Sequence, residues 1–140
     1  MIYSFISAFN YICTVSLVSN LNNDHDFPTD QGILILNQAN FNKAIKRYKF
    51  ILVNFYLSTC SYCKRFESEY AKVERLLAER ESGIKVAKVD ATVEVALAKQ
   101  HNAVSYPTLI LFKDGTPVYY NGILKSNYIV AWLTRETSSQ

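Results

Sequence analysis

Cysteine is scarce in this chain, with three in 140 residues, and histidine is scarcer, with two. A structural zinc site wants four ligands, commonly two C-x-x-C pairs or one pair plus two suitably spaced histidines. Here there is one pair, Cys60-Ser61-Tyr62-Cys63; His25 and His101 are isolated, and Cys13 lies in an N-terminal apolar segment. Ligand count therefore disfavours zinc, and no metal is expected. No glycine-rich phosphate loop, internal repeat, low-complexity tract or N-x-S/T acceptor occurs, so no nucleotide cofactor is implied. Charge of one sign is nowhere concentrated. The formal net charge is +3 with acids and bases interspersed, which argues against a nucleic-acid partner, and the charges from Lys64 to Glu81 fall on the solvent side of a helix.

What is present is a cysteine pair in a setting suited to electron exchange. The apolar run from Phe50 to Leu57 leads into it, and Lys64 to Arg80 follows with helical periodicity. The pair thus sits at a strand-to-helix junction. Unpaired backbone N–H groups and the macrodipole at a helix N-terminus favour negative charge, so the Cys60 thiolate should be stabilised relative to a free cysteine of pKa about 8.5. Cys60 is the expected nucleophile. Cys63, one turn on, can close an intramolecular disulfide and displace a trapped substrate, which makes it the resolving thiol. An inert structural disulfide is the poorer reading, because so short a spacing closes almost no loop.

Along the chain, Ile33-Leu34-Ile35-Leu36 predicts a short strand, and Asn37 or Asn40 caps a helix carrying Phe41, Ala44, Ile45 and Tyr48 at helical spacing. The nearly continuous hydrophobicity of Phe50 to Leu57 predicts a strand buried on both faces. The helix after the cysteines should bury Phe66, Tyr70, Val73, Leu76 and Leu77 and end near Gly83. A strand from Ile84 to Val89 follows, then a helix from Thr92 to His101 with Val93, Ala96 and Leu97 inward. Leu109 to Phe112 and Val118 to Tyr120 flank an Asp114-Gly115 turn, predicting a hairpin, and a last helix starts near Ser126 or Asn127. This order predicts one α/β domain with its sheet between helices.

The same residues resemble the thioredoxin superfamily, and within it the catalytic domains of protein disulfide isomerases. The resemblance is carried by Phe50 to Tyr56, the cysteine pair, Lys64, Glu69-Tyr70, Lys85 to Asp90, Tyr106-Pro107-Thr108, Lys113-Asp114-Gly115, Tyr120-Asn121-Gly122 and Ile129 to Leu133. It implies a thioredoxin fold: a central mixed sheet flanked by helices on both faces, ending in a β-hairpin and a helix. The domain is placed at 32–136, with a polar tail at 137–140. The resemblance also implies that Pro107 follows a cis peptide bond and faces the cysteines, and that the Tyr106 backbone pairs with an extended substrate. Departures from the pattern bear on mechanism. Six residues before Cys60, where the family usually places a buried Glu or Asp thought to accept the proton of the second cysteine, stands Asn54. Lys88, which the resemblance places near that missing acid, is left as a tuning or proton-accepting candidate. Thr59 replaces a tryptophan and Ser61-Tyr62 replaces Gly-His, so Tyr62 brings no imidazolium to stabilise Cys60 and a weaker oxidant is expected. The family's mobile arginine has no clear match; Leu124 falls near its place, with Lys125 adjacent.

Residues 2 to 18 are mostly apolar and uncharged, with small residues near 14–19, so 1–19 is expected to be a secretory signal peptide, or else an uncleaved membrane anchor. Residues 20–31 then form a polar, flexible lead-in. The expected location is the endoplasmic reticulum lumen or secretory pathway, without a KDEL-like signal in Thr-Ser-Ser-Gln. The expected activity is thiol-disulfide exchange or isomerisation on cysteines of folding proteins, with an unidentified electron-exchange partner and no cofactor beyond the Cys60–Cys63 disulfide. A client-holding, chaperone-like module of low turnover is the alternative that Asn54 favours, and a cytosolic thioredoxin-like reductase a third reading.

Overall fold

The computed structural model describes residues 24–138. Cys13 and the expected signal segment lie outside the described residues. Among the described residues no helix is long and apolar enough to cross a membrane.

The longest apolar run of the sequence becomes the central strand. β1 (Thr29–Asp30), β2 (Ile33–Leu36), β3 (Phe50–Tyr56), β4 (Ile84–Asp90), β5 (Thr108–Lys113) and β6 (Thr116–Tyr119) form one mixed sheet in the order β1-β2-β4-β3-β5-β6. β3 is parallel to β4 and antiparallel to β5, so both its edges are hydrogen-bonded. Its faces are covered as well. Ile51, Val53 and Phe55 pack with Leu34, Leu36 and Val89 against α1 (Phe41–Arg47) and α3 (Val95–Gln100). Leu52 packs with Val86, Leu109 and Leu111 against α2 (Ser61–Glu79) and α4 (Ser126–Ser138). A strand reads as continuously apolar when both pleat faces are roofed by helices, which is why the run carries no alternation. The thioredoxin fold expected from the sequence is the one observed.

Local chemistry accounts for the β5–β6 turn and the buried face of α2. Asp114 and Gly115, at φ 48° and 84°, make the two-residue turn between β5 and β6, both in the left-handed region that a tight hairpin needs. α2 buries Phe66, Tyr70, Val73 and Leu77 as its spacing predicts. The N-terminus of α4 is capped from a distant helix: the Ser126 N–H donates to Glu69 Oε2 at 2.8 Å. That bond, seconded by the Ser126 hydroxyl and by Lys72, holds the Glu69 carboxyl down at about 2. A depressed carboxyl stabilises the fold above the unfolded-state value of about 4.3 and loses that contribution as pH falls through its folded value. Glu69→Gln should therefore be less stable than the parent at neutral pH, and the gap should close between roughly pH 4.3 and 2. Urea midpoints measured across that range check this; a gap independent of pH would show that the charge is not what caps α4.

Three expectations are corrected. Residues 24–31 are not a flexible lead-in: Phe27 is only 4% exposed within the core, and Thr29 and Asp30 pair with Leu34 and Ile33. Val93 is 73% exposed and Ala96 is exposed, because a turn over 91–93 delays the helix and rotates its face so that Leu97 and Ala98 point inward. Tyr120 lies beyond β6, which ends at Tyr119, although its N–H still donates to Leu109 O at 3.0 Å.

His101, at the end of α3, packs among the rings of Phe41, Phe55 and Phe112, and its buried Nε2 has no hydrogen-bond partner. Burial holds this imidazole below its ordinary value of 6.5. The unfolded chain then binds a proton that the folded one refuses, so stability falls as pH drops below about 6.5. His101→Phe should remove that slope and, by deleting an unpaired buried nitrogen, add about 1 kcal/mol at neutral pH. Denaturation at pH 7.5 and 5 tests it; an unchanged acid slope in the variant would sink the idea.

Candidate active site

The chain leaves β3 at Tyr56 and turns back into α2 with Cys60 as the N-cap residue, in extended backbone geometry (φ −81°, ψ 114°). Its Sγ accepts the backbone N–H of Cys63 at 3.1 Å, satisfying one of the donors that a helix start leaves unpaired. The Cys60 thiol is held below its ordinary value. The largest cause is a hydrogen bond from the Cys63 side chain, followed by the Cys63 backbone, with the Tyr62 backbone and the charge of Arg65 assisting. Tyr62 is half exposed, and the Arg65 guanidinium lies over its ring, 5.5 Å from the centroid. The cation that Tyr62 does not itself supply thus comes from the next turn.

Cys63 behaves oppositely. It is 4% exposed, and burial, with the Cys60 contact second, pushes its thiol up to about 11. At neutral pH Cys63 is therefore held as the thiol. Both cysteines are free thiols here. The two thiols are thus displaced in opposite directions, Cys60 partly exposed and Cys63 buried.

Behind Cys63 lies a cavity of about 90 Å³ whose lining includes Asp30, Asn54, Glu67, Tyr70 and Lys88. Asn54 is 6% exposed and its Oδ1 has no hydrogen-bond partner. It faces this cavity because alternate residues of β3 share a face, and Leu52 already points toward α2. Lys88 sits opposite Asn54 in the β3–β4 register. The sequence leaves this lysine without an acid, and the structure corrects that: Lys88 Nζ meets Asp30 Oδ2 at 2.7 Å. Tyr70 closes the cavity floor, its hydroxyl donating to Ala87 O at 2.7 Å.

The Tyr106–Pro107 peptide bond is cis, and both residues are half-buried. They precede Thr108, which pairs with Phe55 at the end of β3 from which the chain departs toward Cys60. The Tyr106 hydroxyl donates to Ala103 O at 2.8 Å, within the loop that follows α3. Leu124 packs half-buried on the second core and Lys125 is exposed beside α4.

Sequence reasoning missed Asp30, Glu67 and Arg65. The helical positions were discoverable, since Glu67 lies four residues after Cys63 and Arg65 three after Tyr62. Asp30 carried no periodic signal.

A sheet-centred α/β domain that presents a polarised C-x-x-C pair at a helix N-terminus beside a cis-proline loop defines the class. The thioredoxin family model matches residues 32–135, and the chain belongs to that family. Among curated proteins it is 46% identical over 108 residues to the protein disulfide-isomerase of Drosophila melanogaster, covering 77% of this chain and 22% of that protein. It is 41% identical over 102 residues to protein disulfide-isomerase A4 of Bos taurus, covering 73% and 16%. The chain spans about a fifth of the length of these relatives. Its fold matches the solution structure of the first thioredoxin domain of mouse protein disulfide-isomerase A4, with TM-score 0.76, 31% identity and 85% of each chain covered. It is a protein disulfide isomerase-like thioredoxin domain.

Proposed function

We propose that this domain exchanges disulfides with cysteine-containing client proteins in the secretory pathway, in the lumen of the endoplasmic reticulum. The opposite displacement of the two thiols, Cys60 downward and Cys63 upward, carries this reading. The Cys60 thiolate attacks one sulfur of a client disulfide, forming a mixed disulfide and releasing the other client sulfur as a thiolate. Cys63, once deprotonated, attacks Cys60 Sγ; the Cys60–client bond breaks, the client departs reduced and the Cys60–Cys63 disulfide forms. Reversal oxidises a client dithiol, and resetting the pair needs an electron-exchange partner. Tyr106 and Pro107 border the cysteine end of the sheet and are assigned to seating the client. The relatives' names, protein disulfide-isomerase, support rearrangement of disulfides in proteins as the use.

The buried amide of Asn54, whose Oδ1 has no partner, favours a second reading, a client-holding domain with little turnover. Two measurements separate them. Equilibration against glutathione buffers should give the Cys60–Cys63 couple a potential near roughly −180 to −230 mV, whereas about −270 mV would indicate a reductase. Incubation with a scrambled-disulfide protein should restore its activity over many turnovers; a persistent one-to-one mixed disulfide would establish the holding role instead.

A further inference from the structure

Asn54 leaves the middle of the site without a base. An amide takes no proton at neutral pH, yet the Cys63 thiol cannot displace a client until its own proton has left. Among the described residues, two carboxylates line the cavity behind it, Asp30 and Glu67. Glu67, on α2, is exposed as Asp30 is, but of the two only Asp30 is held by an ion pair, to Lys88. Asp30 arrives from the opposite wall on a built element. Phe27 anchors the segment in the core, Ile35 N–H donates to Pro28 O at 2.8 Å, and Gln31 and Gly32, at φ 51° and 81°, form the tight turn that folds β1 onto β2. The Asp30 carboxylate is fixed by Lys88 at 2.7 Å and remains 52% exposed, so it faces both the cavity and solvent.

We propose that Asp30 takes the role left empty at Asn54, acting as the proton acceptor for Cys63 through water in this cavity and positioned by Lys88. This rests on the exchange reaction proposed above. A cavity of about 90 Å³ open to water has ample room, since one water needs only about 10 to 15 Å³ of such space, and the Asn54 Oδ1, the Lys88 ammonium and Asp30 provide the polar partners that water needs. The Cys63 S–H passes its proton to that water, and the water passes one to the Asp30 carboxylate. The Cys63 thiolate then forms the S–S bond to Cys60 while the Cys60–client bond breaks and its electron pair leaves on the client sulfur. Asp30 afterwards returns the proton to solvent from its exposed side. The client disulfide is the oxidant, and no other co-reactant is needed. The remaining titratable groups facing the cavity are Tyr56 and Tyr70, both pushed upward by burial, and Glu67.

The test is rapid-quench release of a cysteine-containing peptide from its mixed disulfide with Cys60, across roughly pH 6 to 9. Asp30→Asn should slow release about 10- to 100-fold near pH 7, with a smaller deficit as hydroxide takes over the deprotonation. Asp30→Glu should retain most of the rate, and Asn54→Glu placed in the Asp30→Asn background should restore it by returning a carboxylate to the centre. A purely structural role for Asp30 would lower the rate evenly with pH and would not be rescued from position 54. Release by Asp30→Asn within about twofold of the parent, failure of that rescue, or a loss caused by Glu67→Gln instead would each overturn the assignment while leaving the exchange reaction standing. A parent protein that forms the mixed disulfide and never releases the peptide would remove both.

Discussion

Cys60→Ser should lower disulfide exchange to the uncatalysed level, whereas Cys63→Ser should leave a protein that captures clients and keeps them. The asymmetry follows from where each sulfur sits. Cys60 Sγ is the N-cap acceptor of α2, bonded to the Cys63 N–H at 3.1 Å, and its thiolate is the form favoured there. A serine hydroxyl in that place is no nucleophile toward sulfur. Cys63 is 4% exposed and held as a thiol, so it takes little part in the first attack and is required for the second. In Cys63→Ser the mixed disulfide has no internal exit and should accumulate as a high-mass band on a non-reducing gel, cleared by added thiol. The alkylation rate of Cys60 should titrate below the ordinary cysteine range, near 8.5, and keep that midpoint in Cys63→Ala only in part, because the Cys63 side chain is its largest stabilising contact. Trapping by Cys60→Ser in place of Cys63→Ser would reverse the assignment of roles.

Phe41→Ala should cost about 3 to 5 kcal/mol of folding stability. Phe41 is 1% exposed, and its ring meets Phe112 edge-on at 5.6 Å, Phe55 at 6.2 Å and His101 at 4.7 Å between centroids. Removing it takes the hub from an aromatic cluster whose other members come from β3, β5 and the end of α3, and the sheet on one side limits how far they can collapse into the space. A domain of this size is commonly stable by only about 5 to 15 kcal/mol, so the variant should be close to unfolding at 37 °C. Urea denaturation at neutral pH gives the value. The loss should appear there and not in the alkylation rate of Cys60 in the folded protein, because Phe41 and the Asn54 cavity lie on opposite faces of β3. A cost below about 1 kcal/mol would mean that the cluster repacks freely.

Much of the site was legible because its chemistry is local. A cysteine at the junction of an apolar strand and an amphipathic helix falls at the helix start, so the N-cap place of Cys60 and the position of Cys63 one turn on followed from a handful of adjacent residues. The spacing of Phe66, Tyr70, Val73 and Leu77 likewise marked the buried face of α2. Val93 shows where this fails. The periodicity places it on the inner face of a helix starting at Thr92, but a turn held by Thr92 N–H to Asp90 Oδ1, at 2.9 Å, postpones the helix and turns Val93 to solvent.

The amino-acid sequence by itself determined the double-sided sheet, the helix order, the polarised cysteine pair and the absence of an acid at Asn54, since each depends on side-chain periodicity or on residues within one turn. Only the tertiary structure decided what stands in for that acid. Asp30 belongs to a two-residue strand, too short for any period to announce it, and it meets Lys88 across 58 positions of sequence. Pairing of that kind is set by sheet register and by the turn at Gln31-Gly32, so it exists only once β1, β2 and β4 lie side by side.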